Sequence, residues 1–134
     1  MKESLDAHSR DEYVYYRVQR SEETLAEADC LAENGHFSGA VNRLYYACYY
    51  VVSALLIENE IPAATHAGVR SMFALKFIKT HKMDISHGKL FNEVFQIRQS
   101  NDYDDFIFCD EETYKDLRPR VEALISAIKQ QLYP

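Results

Sequence analysis

The amino-acid sequence predicts an all-α protein, a single antiparallel up-and-down bundle of about five helices. Apolar residues recur with the helical period in successive segments, and no segment alternates with the two-residue period of a β-strand. A glycine, a proline or a helix-capping residue stands between these segments. No internal repeat, linker or low-complexity run divides the chain, so one domain is expected over residues 1–134.

The first two helices are predicted to form an antiparallel hairpin. Residues 9–34 carry apolar side chains on one face and charged side chains opposite, and Gly35 ends that helix. Ser38 is a good N-cap for a second helix over residues 38–59, and Pro62 confirms the break after it. Only residues 35–37 connect the two helices, and so short a connection places them side by side in opposite directions.

The second helix is predicted to be the centre of the bundle. Its apolar stripes cover most of its circumference, so other helices must cover it on several sides. Ala40, Ala47 and Ala54 fall on one line, where such small side chains let a neighbouring helix come close. Arg43 shares a face with alanine and tyrosine side chains near the helix start. Because an unpaired buried charge is costly, Arg43 is expected to have a partner.

A third helix is predicted over residues 66–79, with Thr65 as its cap. Arg70 and several lysines make its end basic, which suits a helix C-terminus. Its apolar side is assigned to Val69, Met72, Phe73, Leu75, Phe77 and Ile78.

The last two helices follow a short loop over residues 82–86. Asp84 or Ser86 is expected to cap the fourth helix, which extends to residue 103. Asp110 is expected to cap the fifth. Pro119 falls within the fifth helix and either bends it or marks its true start.

Composition and charge exclude several classes of protein. A formal net charge of −6 argues against a protein that coats nucleic acid non-specifically, although a small basic site is compatible with it. The three cysteines form no CxxC pair, so reduced thiols are expected. The N-terminus lacks an apolar signal core, and the longest apolar run, residues 47–57, is shorter than the roughly 20 residues that span a bilayer. A soluble, cytoplasmic protein with no membrane association is expected.

Two arginine-containing segments are the main candidates for a functional site. Arg98 and Asp102 are spaced i, i+4 and can pair on one helix face. Arg43 could reach Asp102 or the hydroxyl of Tyr103 from the neighbouring helix. One interpretation is a buried ion-pair cluster that fixes how the second and fourth helices meet. The other is a phosphate site, because a planar guanidinium binds oxyanions through two hydrogen bonds.

The tyrosines and histidines give weaker signals. Tyr45, Tyr46, Tyr49 and Tyr50 have helical spacing, which favours a core role over stacking on nucleic-acid bases. His66 lies at a helix start, where it either contacts an anion or packs. No histidines show metal-ligand spacing, and the acidic segment 102–112 lacks the EF-hand pattern, so no metal or other cofactor is expected.

Three motifs, in this order and spacing, give the chain a family resemblance. They read RLYYACY over residues 43–49, HAGV over residues 66–69, and HGKLFNEVFQIRQSNDYDDF over residues 87–106. Together they resemble the HEPN domain family, and within it the small stand-alone proteins of bacteria and archaea. The resemblance covers nearly the whole chain, since the pattern of helix lengths matches too.

The resemblance implies a helical bundle that is commonly dimeric and often pairs with a minimal nucleotidyltransferase as a toxin–antitoxin system. The second and fourth helices, with Phe106 and Phe108, are the expected dimer face. Many members are metal-independent RNases with an arginine followed by a histidine. Arg98 matches that arginine, but residues 102–105 contain no histidine, so the general acid–base is missing.

The leading hypothesis is therefore a HEPN-type binding and interaction module, without chemistry of its own, that pairs with a nucleotidyltransferase and binds a nucleotide or RNA. One alternative is a metal-independent RNase that uses Arg98, with Asp102 or Tyr103 as proton carrier. A second alternative is a purely structural helical bundle. The binding candidates are Arg43, Tyr46, His66 and Arg98.

Overall fold

Five α-helices make up the fold in the computed structural model, which describes residues 6–103 and 109–134 and, at residues 101–103, the backbone alone. They are α1 (Ala7–Glu33), α2 (Phe37–Glu58), α3 (His66–Phe73), α4 (Ile85–Tyr103) and α5 (Glu111–Leu132). The described residues contain no β-strand. The predicted all-α bundle is confirmed.

The hairpin of α1 and α2 turns at Gly35, whose φ of 78° favours glycine. The predicted N-cap role of Ser38 is wrong, because α2 begins one residue earlier, after His36, whose side chain makes no capping hydrogen bond. The hydroxyl of Ser38 instead accepts a hydrogen bond from the backbone N–H of Cys109, at 3.3 Å. This bond ties the start of α2 to the segment that leads into α5.

Helix α2 packs against all four other helices, as its apolar circumference predicts. Ala40, Ala47 and Ala54 are fully buried, and the hydroxyl of Ser21 on α1 donates to the carbonyl of Ala47 at 2.7 Å. By length and composition α2 could cross a membrane, but 67% of its most apolar window is buried inside the bundle. That burial fits a core helix.

The third helix departs from regular α geometry at its end. Thr65 caps α3 as predicted, because its hydroxyl accepts from the N–H of Gly68 at 2.9 Å. After Phe73 the chain forms a π-helical turn over Ala74–Ile78. Phe73 and Phe77 both face the core across this turn, whereas Leu75 between them is 45% exposed. The prediction that Leu75 belongs to the apolar side is therefore wrong.

The last two helices begin at carboxylate caps. Asp84 accepts from the N–H of Ser86 at 3.0 Å, and Asp110 accepts from the N–H of Thr113 at 2.9 Å. Because α5 already begins at Glu111 and continues through Pro119, Pro119 is not the helix start. The core face of α5 is formed by the buried residues Leu117, Val121, Leu124, Ile125 and Ile128.

An ion pair that we term the Asp29 clamp joins α1 to α5. Arg118 donates from Nε to Oδ1 of Asp29 at 3.1 Å and from Nη2 to Oδ2 at 2.9 Å. Tyr114 also donates its hydroxyl to Asp29. The Arg118 guanidinium, and then the Tyr114 hydroxyl, lower the pKa of Asp29 against the opposing effect of burial. The charge of Arg118 is thus balanced by the protein itself, as expected of an arginine with a structural role.

Candidate phosphate-binding site

A group of side chains that we term the arginine–tyrosine cluster lies where α2, α3 and α4 meet. Helix α3 begins at His66, so His66 and Arg70 are spaced i, i+4 and share a face of that helix. Ring and guanidinium contacts join them to tyrosines of α2 and to the C-terminal half of α4. The members are Tyr45, Tyr46, Tyr49, His66, Arg70, Phe95 and Arg98.

Arg98 reaches from α4 to the tyrosines of α2. Its Nη2 donates to the hydroxyl oxygen of Tyr46 at 3.3 Å. Its guanidinium carbon is 5.3 Å from the ring centroids of both Tyr45 and Tyr46, within cation–π range. The structure thus brings together Tyr46 and Arg98, two of the residues that the sequence singles out.

The side chains of Asp102 and Tyr103 lie outside the described residues, as do Phe106 and Phe108. The Arg98–Asp102 pair, the proton-carrier roles of Asp102 and Tyr103, and the apolar patch at the dimer face therefore stay predictions.

Arg43 has a carboxylate partner, as expected, and that partner lies on α1. Its side chain is 30% exposed, and its described carboxylate partner is Glu27 on α1, at 3.6 Å. It also donates to Oδ1 of Asn42 at 2.9 Å. The contact of Arg43 with Asp102 or Tyr103 of α4 stays a prediction, because those side chains lie outside the described residues. The guanidinium carbon of Arg43 is 5.0 Å from the ring of Tyr46, which places it at the edge of the arginine–tyrosine cluster.

His66 is held on two sides by tyrosines. A 2.7 Å hydrogen bond joins its Nδ1 to the hydroxyl of Tyr45, and its ring stacks on Tyr49 with 4.2 Å between centroids and 12° between planes. Burial, and then the positive charges of Arg98 and Arg70, lower the pKa of His66. His66 is therefore a neutral imidazole at pH 7, beside two cations.

Tyr45 is the buried anchor of the cluster. It is fully buried, and it contacts His66 of α3 and Phe91 and Phe95 of α4 as well as its tyrosine neighbours on α2. Burial raises the pKa of Tyr45 to about 12, although Arg70 and Arg98 oppose that shift. The hydroxyl therefore stays protonated at neutral pH, and it serves to orient His66.

Arg70 is the residue that sequence reasoning missed. Its guanidinium carbon lies 3.6 Å from the ring centroid of Phe95, and its Nε is buried with no hydrogen-bond partner among the described residues. Among the described side chains, those of residues 6–100 and 109–134, no carboxylate pairs with it. Most other described arginines have such a partner: Arg10 has Glu60, Arg20 has Glu23, Arg43 has Glu27, Arg118 has Asp29, and Arg120 has Glu93.

The side chains of the cluster have the chemistry that suits an oxyanion. A guanidinium that stacks on an aromatic ring still presents the N–H groups of its edge, and two such groups match the oxygens of a phosphate. Arg70 and Arg98 bring two positive charges to one place in a chain of net charge −6. No group of three or more histidine, cysteine or acidic side chains could hold a metal ion in the part of the chain that the structure describes.

Comparison with known proteins places the chain in a family. The HEPN domain model matches residues 14–131. A "UPF0332 protein" of Thermotoga maritima is 34% identical over 92% of this chain and 93% of its own length. Two proteins of Methanocaldococcus jannaschii, "Putative toxin MJ0605" and "Putative toxin MJ0142", are 32% and 38% identical. The first match covers 77% of this chain and 76% of the relative, and the second covers 65% and 59%.

Proposed function

The chain belongs to the HEPN domain family, and from that premise we propose that it is a toxin-like protein whose arginine–tyrosine cluster binds a phosphate group of RNA or of a nucleotide. The observation that carries this proposal is Arg70, which stacks on Phe95 with no carboxylate beside it among the described residues. Proteins rarely leave a partly buried charge uncompensated, because its desolvation is costly. A ligand phosphate compensates the charge of Arg70, and Arg98 supports it.

The neighbouring tyrosines fit the same ligand. Tyr46, Tyr49 and Tyr50 are all partly exposed, and their rings lie next to one another along α2. A base attached to the bound phosphate can stack on such rings, which favours single-stranded nucleic acid. The Asp29 clamp shows what an arginine site with a purely structural role looks like in this protein, because the charges of Arg118 and Asp29 are partners of each other.

Binding of a labelled oligonucleotide tests this function. The probe is a fluorescein-labelled RNA octamer with 2′-O-methyl groups, which cannot be cleaved by its own 2′-oxygen. Arg70→Gln and Arg98→Gln should each weaken binding at least about tenfold, since hydrogen bonds to charged groups contribute about 1.5–3 kcal/mol. The matched control is Arg120→Gln, an arginine that Glu93 and Asp116 already neutralise, and its affinity should stay within about twofold. No binding by the wild type, or an equal loss in all three variants, would contradict the proposal.

A protein partner belongs to the same proposal. Two archaeal relatives are named putative toxins, which supports a toxin–antitoxin-like role. The family resemblance alone supports a minimal nucleotidyltransferase as the partner and a homodimer of this chain, and we propose that the pair acts in the cytoplasm. Co-expression with the product of a neighbouring nucleotidyltransferase gene, followed by size-exclusion chromatography with light scattering, measures both associations. Reproducible elution of the two proteins apart would count against the pairing, and a monomeric mass for this chain would count against the dimer.

A further inference from the structure

A surface cavity lies where the start of α1 meets the C-terminal ends of α2 and α5, and we propose that it binds a small organic cation, an alkylammonium or alkylguanidinium. Its volume is about 390 Å³, within the range of about 300–1,000 Å³ that is typical of small-molecule sites. Two carboxylates, two tyrosine rings and two apolar side chains line it: Asp11, Glu58, Tyr15, Tyr133, Val14 and Leu132. None of them belongs to the arginine–tyrosine cluster, so the inference does not depend on the proposed function.

The two carboxylates of the cavity have no positively charged partner in the part of the chain that the structure describes. The cations close to them in sequence or in space are paired with other carboxylates. Arg10, which precedes Asp11, pairs with Glu60 at 3.2 Å, and Lys129 pairs with Glu22. The cavity therefore carries negative charge that the described protein does not balance, and a bound cation would balance it.

Two helices end at the cavity and add to its negative potential. Glu58 is the last residue of α2, and Leu132 is the last residue of α5. The backbone carbonyl groups at a helix C-terminus carry a partial negative charge, so both helix ends favour a cation nearby. Tyr133 caps α5 and donates its backbone N–H to the carbonyl of Lys129 at 2.8 Å, which fixes the backbone from which its ring projects.

The tyrosine rings and the apolar side chains favour an organic cation over a metal ion. Tyr15 and Tyr133 are 59% and 52% exposed, and both rings are open to a ligand in the cavity. The face of a tyrosine ring attracts a cation, and the apolar lining can pack against an aliphatic chain attached to that cation. Burial, and then the charges of Glu58 and Asp11, raise the pKa of Tyr133, so the carboxylates and this ring lie close enough to act on one ligand.

The test is a titration of the ¹⁵N-labelled full chain with agmatine, whose ammonium and guanidinium groups are joined by an aliphatic chain. Chemical shifts are followed at low salt for the wild type, Asp11→Asn and Glu58→Gln, and the same spectra verify that each variant folds. The matched control is Glu12→Gln, which removes the same charge from an exposed position next to Asp11 but outside the cavity. A second pair compares Tyr133→Ala with Tyr16→Ala, because Tyr16 is an equally exposed tyrosine outside the cavity.

The expected result is saturable binding to the wild type with a Kd of about 1 mM or below. Asp11→Asn, Glu58→Gln and Tyr133→Ala should each weaken binding at least about fivefold, while both controls stay within about twofold. Mg²⁺ has the same charge as agmatine without an aliphatic chain, and it should leave the resonances of the cavity unmoved. Absence of agmatine binding overturns the inference. An equal response to Mg²⁺, or an equal loss in Glu12→Gln, also overturns it, because either one indicates only a diffuse acidic surface.

A second ligand identifies the source of the cation. A blocked Gly-Gly-Arg-Gly-Gly peptide offers the same guanidinium group on a polypeptide backbone. If agmatine binds more tightly than the peptide, the ligand is a free small cation, as the size of the cavity favours. If the peptide binds more tightly, the same cavity takes an arginine side chain of another protein, and the free-cation form of the inference is overturned.

Discussion

Replacing Asp29 by asparagine should lower the free energy of unfolding by about 2 kcal/mol at pH 7. The change keeps the shape of the side chain but removes the charge that Arg118 grips with two hydrogen bonds. Hydrogen bonds to charged groups contribute about 1.5–3 kcal/mol. The side chains of Asp29 and Arg118 are 36% and 25% exposed. Because this pair is only partly exposed, the expected loss for Asp29→Asn lies between two limits. It exceeds the roughly 1 kcal/mol of surface pairs and stays below the roughly 3–5 kcal/mol for breaking a buried pair.

The melting temperature gives the most direct measurement of this loss. Unfolding entropy is about 2.1 cal/mol/K per residue, so a chain of 134 residues has about 0.3 kcal/mol/K, and 2 kcal/mol corresponds to a shift of about 7 °C. The matched control is Glu122→Gln, which removes the other carboxylate from Arg118 but is 61% exposed and should cost less than about 0.5 kcal/mol. Equal shifts for the two variants would refute the reasoning.

The pH dependence tests whether the loss is electrostatic. Arg118, and then Tyr114, hold the pKa of Asp29 below its ordinary value. A depressed pKa in the folded state means that the stabilisation is complete above the unfolded value of about 3.9 and disappears as the pH falls through the folded value. The difference between wild type and Asp29→Asn should be constant from about pH 5 to pH 8 and shrink in stronger acid. A difference that stays the same down to pH 2 would assign the loss to packing.

Three further predictions concern the arginine–tyrosine cluster and the thiols. Arg70→Gln should flatten the dependence of octamer affinity on salt by about 0.7 in the slope of log K against log salt, because one phosphate contact is lost; an unchanged slope would mean that Arg70 does not touch the ligand. The same variant should raise the pKa of His66, followed by NMR, because a positive charge beside the imidazole is removed, and a fall would contradict the assigned geometry. In the folded protein, an aromatic disulfide reagent should modify the exposed Cys30 quickly and leave Cys48 unmodified, since Cys48 is fully buried and burial raises the pKa of its thiol. Rapid modification of Cys48 would show that the core opens.

The local parts of the fold could be predicted from sequence because their causes lie within a few residues. Thr65 and Asp110 cap the helices that follow them through an N–H three residues on, which a sequence pattern contains in full. Ser38 is also of a residue type that caps helices and stands near the start of an apolar helical run, but the prediction failed there. Its hydroxyl bonds to Cys109, 71 positions away, and no local pattern carries that partner.

The site could be predicted only in part, for the same reason. The residue types of Tyr46, His66 and Arg98 identified them as candidates, and the structure brings them together, while their role in binding is a prediction. Arg43 could not be assigned to Glu27, because that choice depends on how α1 crosses α2. From the sequence, Arg70 was interpreted only as one of the basic residues that suit the C-terminal end of the third helix. The i, i+4 spacing from His66 was the available signal, but it becomes informative only once Phe95 of α4 is known to lie under Arg70.

The π-helical turn after α3 gives this segment a tolerance for a change in chain length. Lys79 donates its backbone N–H to the carbonyl of Ala74, five residues back, at 2.9 Å, so the turn holds one residue more than α geometry needs. Deleting one residue there should let the backbone relax to an ordinary α-helix with both flanks in register. A deletion inside α5 would instead rotate every later side chain by about 100° and turn its buried stripe towards water. Insertions and deletions among related chains should therefore be found at this turn far more often than in α5.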